Sequence, residues 1–130
     1  MESICQYLVS YAVIRACGTI EMVIKNIIFT HLVNGANQET INYLEKQILE
    51  SSWNPSCGQI QKLLDIVNSS WSSQFQQLTH NTREKSAMQS LVNLRNEFAH
   101  GQKITASIND VMDYFNGGYK IIHHIISIIH

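Results

Sequence analysis

Residues 94–101 read Leu-Arg-Asn-Glu-Phe-Ala-His-Gly. Upstream, Met88, Leu91, Val92, Leu94 and Phe98 recur at helical spacing, and a glycine just past such a run marks the place where a helix stops. The spacing predicts a helix from Asn81 or Thr82 to Gly101. Each helical residue advances about 100°. Asn96 and His100 are therefore i, i+4 neighbours whose side chains can touch, and the Asn96 amide can fix the imidazole tautomer. Arg95 lies about 140° around the helix from His100, on the flank of the His face. Within one chain the two do not converge. Two copies of the helix across a two-fold axis gather two Arg, two Asn and two His around a shared cleft. A plainly structural reading also accounts for the stretch: His suits the negative end of the helix dipole, and Arg95 has Glu97 or another surface acid to pair with.

The helix alphabet extends in both directions. Downstream, Ser107 with Asp110 forms a capping-box pattern that opens a last helix toward Ile129, through Val111, Tyr114, Ile121, Ile122, Ile125, Ile126 and Ile128. Gly117–Gly118 either kinks it or admits another backbone. Upstream, Ser69–Leu78 forms a short helix and Gln59–Val67 another. SSWNPSCG (51–58) is a connector broken at Asn-Pro, and Gln38–Ser51 forms a further helix with Ile41, Leu44, Ile48 and Leu49 on one stripe. Ser3–Val33 is a long first helix, ended by NGAN (34–37). Its apolar residues fill most faces, which predicts burial on most sides. Strand-like alternation is scarce. The expectation is all-α: a compact bundle of about five to six helices in a single domain, 1–130.

Composition narrows the function classes. The chain has 130 residues, is 45% hydrophobic and only 15% charged, so some apolar surface is expected to face a partner chain. Net charge is −1, which excludes nucleic-acid binding through bulk charge and leaves only a local patch. Three cysteines, Cys5, Cys17 and Cys57, match no zinc or redox spacing and predict buried free thiols in a reducing cytoplasm. No signal peptide is read at the N-terminus. Arg15, Glu21 and Lys25 break the first apolar run and two His break the C-terminal one, so no membrane span of ~20 uncharged residues is expected.

The form Arg-Asn, three residues, His, Gly ends the penultimate long helix of a small all-α domain, and it resembles the HEPN superfamily (higher eukaryotes and prokaryotes nucleotide-binding). It is most similar to the ribonuclease-toxin branch carrying RNxxxHG, the RiboL-PSP-type HEPN proteins. The resemblance spans nearly the whole chain, from the long first helix to the closing one. It implies a metal-independent endoribonuclease of toxin–antitoxin or anti-phage defence systems, acting on RNA as a homodimer whose motif helices meet. Arg95, Asn96 and His100 are the matched catalytic positions. An acidic residue on the first helix is common in the family, and Glu21 is the candidate here, with Lys25 one turn later as a weaker RNA-binding neighbour. An i, i+4 ion pair between these two is the structural alternative. One branch has a Tyr two residues after the His, the target of an antitoxin that modifies it. Gln102 stands there, which argues against that kind of partner while leaving a cognate antitoxin of another kind.

The chemistry suits these residue types. RNA carries its own nucleophile in the 2′-OH. Imidazole titrates near neutrality and moves protons. Guanidinium stays charged and donates in a fork to phosphate. His100 is thus expected as base or acid and Arg95 as the phosphate-stabilising group, with Asn96 orienting His100 or touching phosphate. Lys103, just past the motif, is a weaker RNA contact. No metal site is expected, because adjacent His123 and His124 diverge on a helix and His31, His80 and His130 have no partner at ligand spacing. With neither a Gly-rich phosphate loop nor a nucleophilic Ser or Cys motif, no cofactor is expected. Trp53 and Trp71 flank the connector, as base-stacking platforms or as core and dimer contacts. Two other functions fit the same residues: a non-catalytic HEPN-like module that binds nucleotide or RNA or only dimerises, and a helical interaction protein.

Overall fold

The structure is a computed structural model that describes residues 4–130. Ser3, where the spacing starts the first helix, lies outside the described residues. The elements are α1 (Ile4–Val33), α2 (Gln38–Leu44) running into a π-helical turn (Glu45–Leu49), α3 (Cys57–Val67), α4 (Ser69–Thr79), α5 (Arg83–Ala99) and α6 (Ile108–Ile129). Among the described residues there is no strand, as the spacing required.

Local chemistry sets most boundaries. Asn37, Ser56, Asn68, Thr82 and Ser107 each cap a helix, their side chains accepting from a backbone N–H two or three residues on. Ser107 and Asp110 complete the capping box in both directions, satisfying two N–H groups that would otherwise lack partners. Two features departed from the spacing. The helix after Asn37 does not stay α-helical: Glu50 N–H bonds Glu45 C=O, an i→i+5 closure that widens the last turn. And α1 is not buried on most sides. It buries one stripe (Val13, Cys17, Ile20, Ile24, Ile28) and leaves Ile4, Tyr7, Leu8, Tyr11 and Ile14 exposed. Cys5 is exposed with them, while Cys17 and Cys57 are buried. By length and composition alone α1 is also apolar enough to cross a membrane, with 28% of its most apolar window buried in the fold; its three charges do not prevent this.

The core is a three-helix layer of α1, α5 and α6. Gly118 of α6 meets Ile20 of α1, and Ala12 and Ala16 line a groove with Val111 and Phe115. α1 and α6 therefore run parallel. Gly117 meets Ala87 and His124 reaches back to Glu84 at 3.0 Å, so α5 runs antiparallel to both. That hydrogen bond from His124 is the main reason the Glu84 carboxyl titrates below its usual range. The consequence for function is positional. The first turns of α1, the last turn of α5 and the start of α6 all lie at one end of the bundle, the end that carries residues 94–101.

Gly117–Gly118 leaves α6 unbroken; it serves close approach. A Cβ on Gly117 would overlap the Ala87 Cβ, and one on Gly118 the tip of Ile20. The first neighbour is fixed by backbone, the second swings on a flexible side chain. Overpacking costs about 1–3 kcal/mol, against about 1 kcal/mol gained when Ala replaces Gly in a helix. Because the Ala87 Cβ is fixed by backbone, Gly117→Ala is expected at the upper end of the difference, about 2 kcal/mol destabilised in urea unfolding, and Gly118→Ala below it. Equal or higher stability of Gly117→Ala would show that α5 and α6 part freely.

Candidate active site at the end of α5

The helix stop at Gly101 is a Schellman closure. Gln102 N–H bonds Glu97 C=O at 2.8 Å and Gly101 N–H bonds Phe98 C=O at 3.0 Å. Gly101 has φ +75°, a left-handed conformation that a side chain would strain. His100 is thereby set at the C-cap, one residue past Ala99, and is exposed to solvent. Its backbone N–H bonds Asn96 C=O at 3.0 Å, but no hydrogen bond joins the Asn96 amide to the imidazole. The Asn96 side chain is committed elsewhere.

Its partner is a residue that the motif does not include. Asn54, in the connector 51–56, donates from Nδ2 to Asn96 Oδ1 at 3.3 Å and accepts at Oδ1 from Arg95 Nη1. Arg95, Asn96 and Asn54 are all half-buried. Arg95 therefore points toward the connector and α1, while His100 faces solvent a turn further on. Arg95 is thus engaged with Asn54 and not with His100.

The connector is held from the other side by α1. Lys25 is 4% exposed. Its ammonium pairs with Glu21 Oε2 at 2.6 Å, donates to the Ser51 carbonyl and lies 5.6 Å from the Trp53 ring centre. The i, i+4 pair is thus real, and it corrects the expectation of Lys25 as an RNA contact: its charge is spent inside the fold, where a buried ammonium needs a counter-charge and several acceptors. Glu21 is half-buried and near enough to the motif to act on the same thiol as Arg95. That thiol, Cys17, points at the Leu91 carbonyl (3.7 Å). Burial pushes it up to about 11, Arg95 opposing the rise and Glu21 adding to it, so it is no nucleophile at neutral pH. Lys103 stands exposed in the loop after Gly101. Trp53 and Trp71 pack half-buried against the core, Trp71 edge-on to His31 with ring centres 5.1 Å apart. Among the described residues, no group of three or more His, Cys, Asp or Glu side chains is placed to hold a metal ion.

Sequence reasoning nominated Arg95, Asn96 and His100 and missed Asn54. The available signal was the Asn-Pro pair. The pair does more than break a helix: Pro55 is fully buried, and a residue before proline is restricted to extended backbone. An anchored, preset Asn beside a Trp is a positioned side chain.

The family model described as RiboL-PSP-HEPN matches residues 5–130. No curated protein and no solved structure matches the chain.

Proposed function

The chain belongs to the RiboL-PSP-HEPN family, and from that premise we propose that it is a metal-independent endoribonuclease, a toxin or anti-phage effector acting in the cytoplasm as a homodimer and restrained by a cognate antitoxin. The observation that carries the reading is the end of α5: an exposed imidazole at the C-cap, with a guanidinium and a carboxamide held in the turn before it. These supply the three things RNA transesterification needs. A base takes the 2′-OH proton, the 2′ oxygen bonds to phosphorus, the P–O5′ bond breaks, and an acid gives O5′ its proton. His100 moves protons. Arg95 stabilises the negative charge that builds on the phosphoryl oxygens. Lys103 helps to hold the RNA backbone.

A second copy completes the site, because Arg95 and His100 of one chain face different ways. The exposed apolar end of the bundle supports this. Tyr7 and Tyr11 are 64% and 62% exposed. With Ile4, Leu8 and Ile14 they continue toward Phe98 in the last turn of α5 and Ile108 and Met112 in the first turns of α6, all exposed. Exposed apolar side chains gathered at the end of the bundle that carries a polar cluster are a usual mark of an interface. Glu21 and Lys25 act from behind, as supports. The net charge of −1 leaves standing the alternative of a non-catalytic HEPN-like binding or dimerisation module, and one experiment separates the two. Purified protein with excess EDTA is expected to cleave single-stranded RNA to 2′,3′-cyclic phosphate and 5′-hydroxyl ends, and to leave an RNA with 2′-O-methyl riboses intact. Dependence on Mg²⁺, or products with 3′-hydroxyl ends, would overturn the mechanism. Absence of cleavage would leave the binding module.

A further inference from the structure

We propose that Asn54 is the positioning residue of this site: its amide fixes the hydrogen-bond polarity of Arg95 and Asn96, so that both present N–H donors to a phosphodiester. The proposal rests on the ribonuclease reading above and deepens it.

The logic is one of donors and acceptors. A guanidinium has five N–H donors and no acceptor, so only the carbonyl oxygen of Asn54 can face Arg95, as observed. The Asn54 Nδ2 is then forced to the other side, where it donates to Asn96 Oδ1. With its oxygen occupied, Asn96 has its own NH₂ left for an incoming group. Arg95 has spent one donor and keeps four. Polarity is thus handed along from Arg95 through Asn54 to Asn96. Phosphodiester oxygens accept and never donate, so a site that shows only donors matches them and disfavours cations in the same place.

Asn54 can do this only if the connector is immobile, and three contacts make it so. Pro55 is buried beside it, Ser51 Oγ donates back to Ile48 C=O at 2.9 Å, and the Ser51 carbonyl is clamped by Lys25. Lys25 is in turn neutralised by Glu21. The acidic residue of α1 therefore reaches the site through Lys25, the connector and Asn54.

Two substitutions separate polarity from shape. Asn54→Asp is nearly isosteric and still accepts from Arg95, but it cannot donate to Asn96, whose amide must flip and turn its oxygen outward. Its carboxylate also offsets the Arg95 charge. Asn54→Leu keeps the volume and removes both hydrogen bonds. Both are expected to melt within a few degrees of the wild type. Asn54→Leu is expected to lower kcat about ten- to a hundredfold. Asn54→Asp should fall further and raise KM as well. If Asn54→Asp cleaves as fast as Asn54→Leu or faster, the direction of the Asn96 amide does not matter and the proposal is overturned. The ¹⁵N guanidinium signals of Arg95, assigned by their loss in Arg95→Lys, give a reading independent of activity. Rotation about the Cζ–N bonds should be slow in the wild type and averaged in Asn54→Leu. Equal spectra overturn the proposal whether or not RNA is cut. A held guanidinium in a protein that cuts no RNA overturns the ribonuclease reading and leaves the positioning by Asn54 intact.

Discussion

His100→Ala is expected to lower kcat for RNA cleavage by about 10²–10⁴-fold, the usual contribution of a positioned acid or base. Arg95→Ala should cost about 10²–10³-fold through lost charge stabilisation in the transition state. Neither loss has a structural excuse. His100 is exposed, and its helix end is closed by backbone bonds from Gly101 and Gln102, so removing the ring leaves the Schellman closure intact. The effect on stability should be within that of an ordinary surface substitution, about ±0.5 kcal/mol. Arg95→Ala frees one oxygen of half-buried Asn54, which water can reach. Rates measured in EDTA on one RNA, with melting curves of the same preparations, check both. Growth inhibition by the wild-type chain in a bacterial host should vanish with either substitution. If both variants cleave like the wild type, the end of α5 is a helix stop and nothing more, and the chemistry lies elsewhere.

Much of this site was legible before any coordinate, and the reason is range. Caps and stops are set within four residues, so Thr82, Gly101 and the Ser107–Asp110 box could be read directly. The phase between Arg95 and His100 follows from helix geometry alone, and it gave the divergence that the structure retains. Asn54 could not be read, because its partners lie 41 and 42 residues away and no local pattern marks that distance. The π-helical turn at Glu45–Leu49 escaped for a related reason. Its residues suit an α-helix, and docking of this segment against α1, rather than propensity, accompanies the wider turn. Exposure of the first turns of α1 escaped for a different reason. Hydropathy reports that a side chain avoids water, and it is silent on whether its own chain or another one provides the cover. Ile4, Tyr7, Leu8, Tyr11 and Ile14 carry the same signal as buried Ile20 and Ile24, yet among the described residues they stand exposed.

That uncovered face decides the second large effect. A Tyr7→Glu, Tyr11→Glu double variant is expected to run as a monomer and to cleave RNA no faster than His100→Ala. Both tyrosines are exposed in the single chain, so the substitutions barely touch its folding; in a dimer each would bury a carboxylate without a counter-charge. Even a few kcal/mol per site weakens association by a thousandfold or more, at about 1.4 kcal/mol per tenfold, which empties the dimer at micromolar protein. The sequence position of these residues makes the variant informative. They lie on α1, whereas Arg95 and Asn96 lie on α5 and His100 caps it, so the substitutions leave the motif residues themselves unchanged. Recovery of the rate with protein concentration separates a missing partner from damage to the site. Light scattering gives the mass, melting curves confirm the fold, and the cleavage rate should recover at protein concentrations high enough to restore the dimer. A monomer that keeps the wild-type rate would show that one chain holds the complete site, and that Arg95 swings from Asn54 to meet His100 without a second copy.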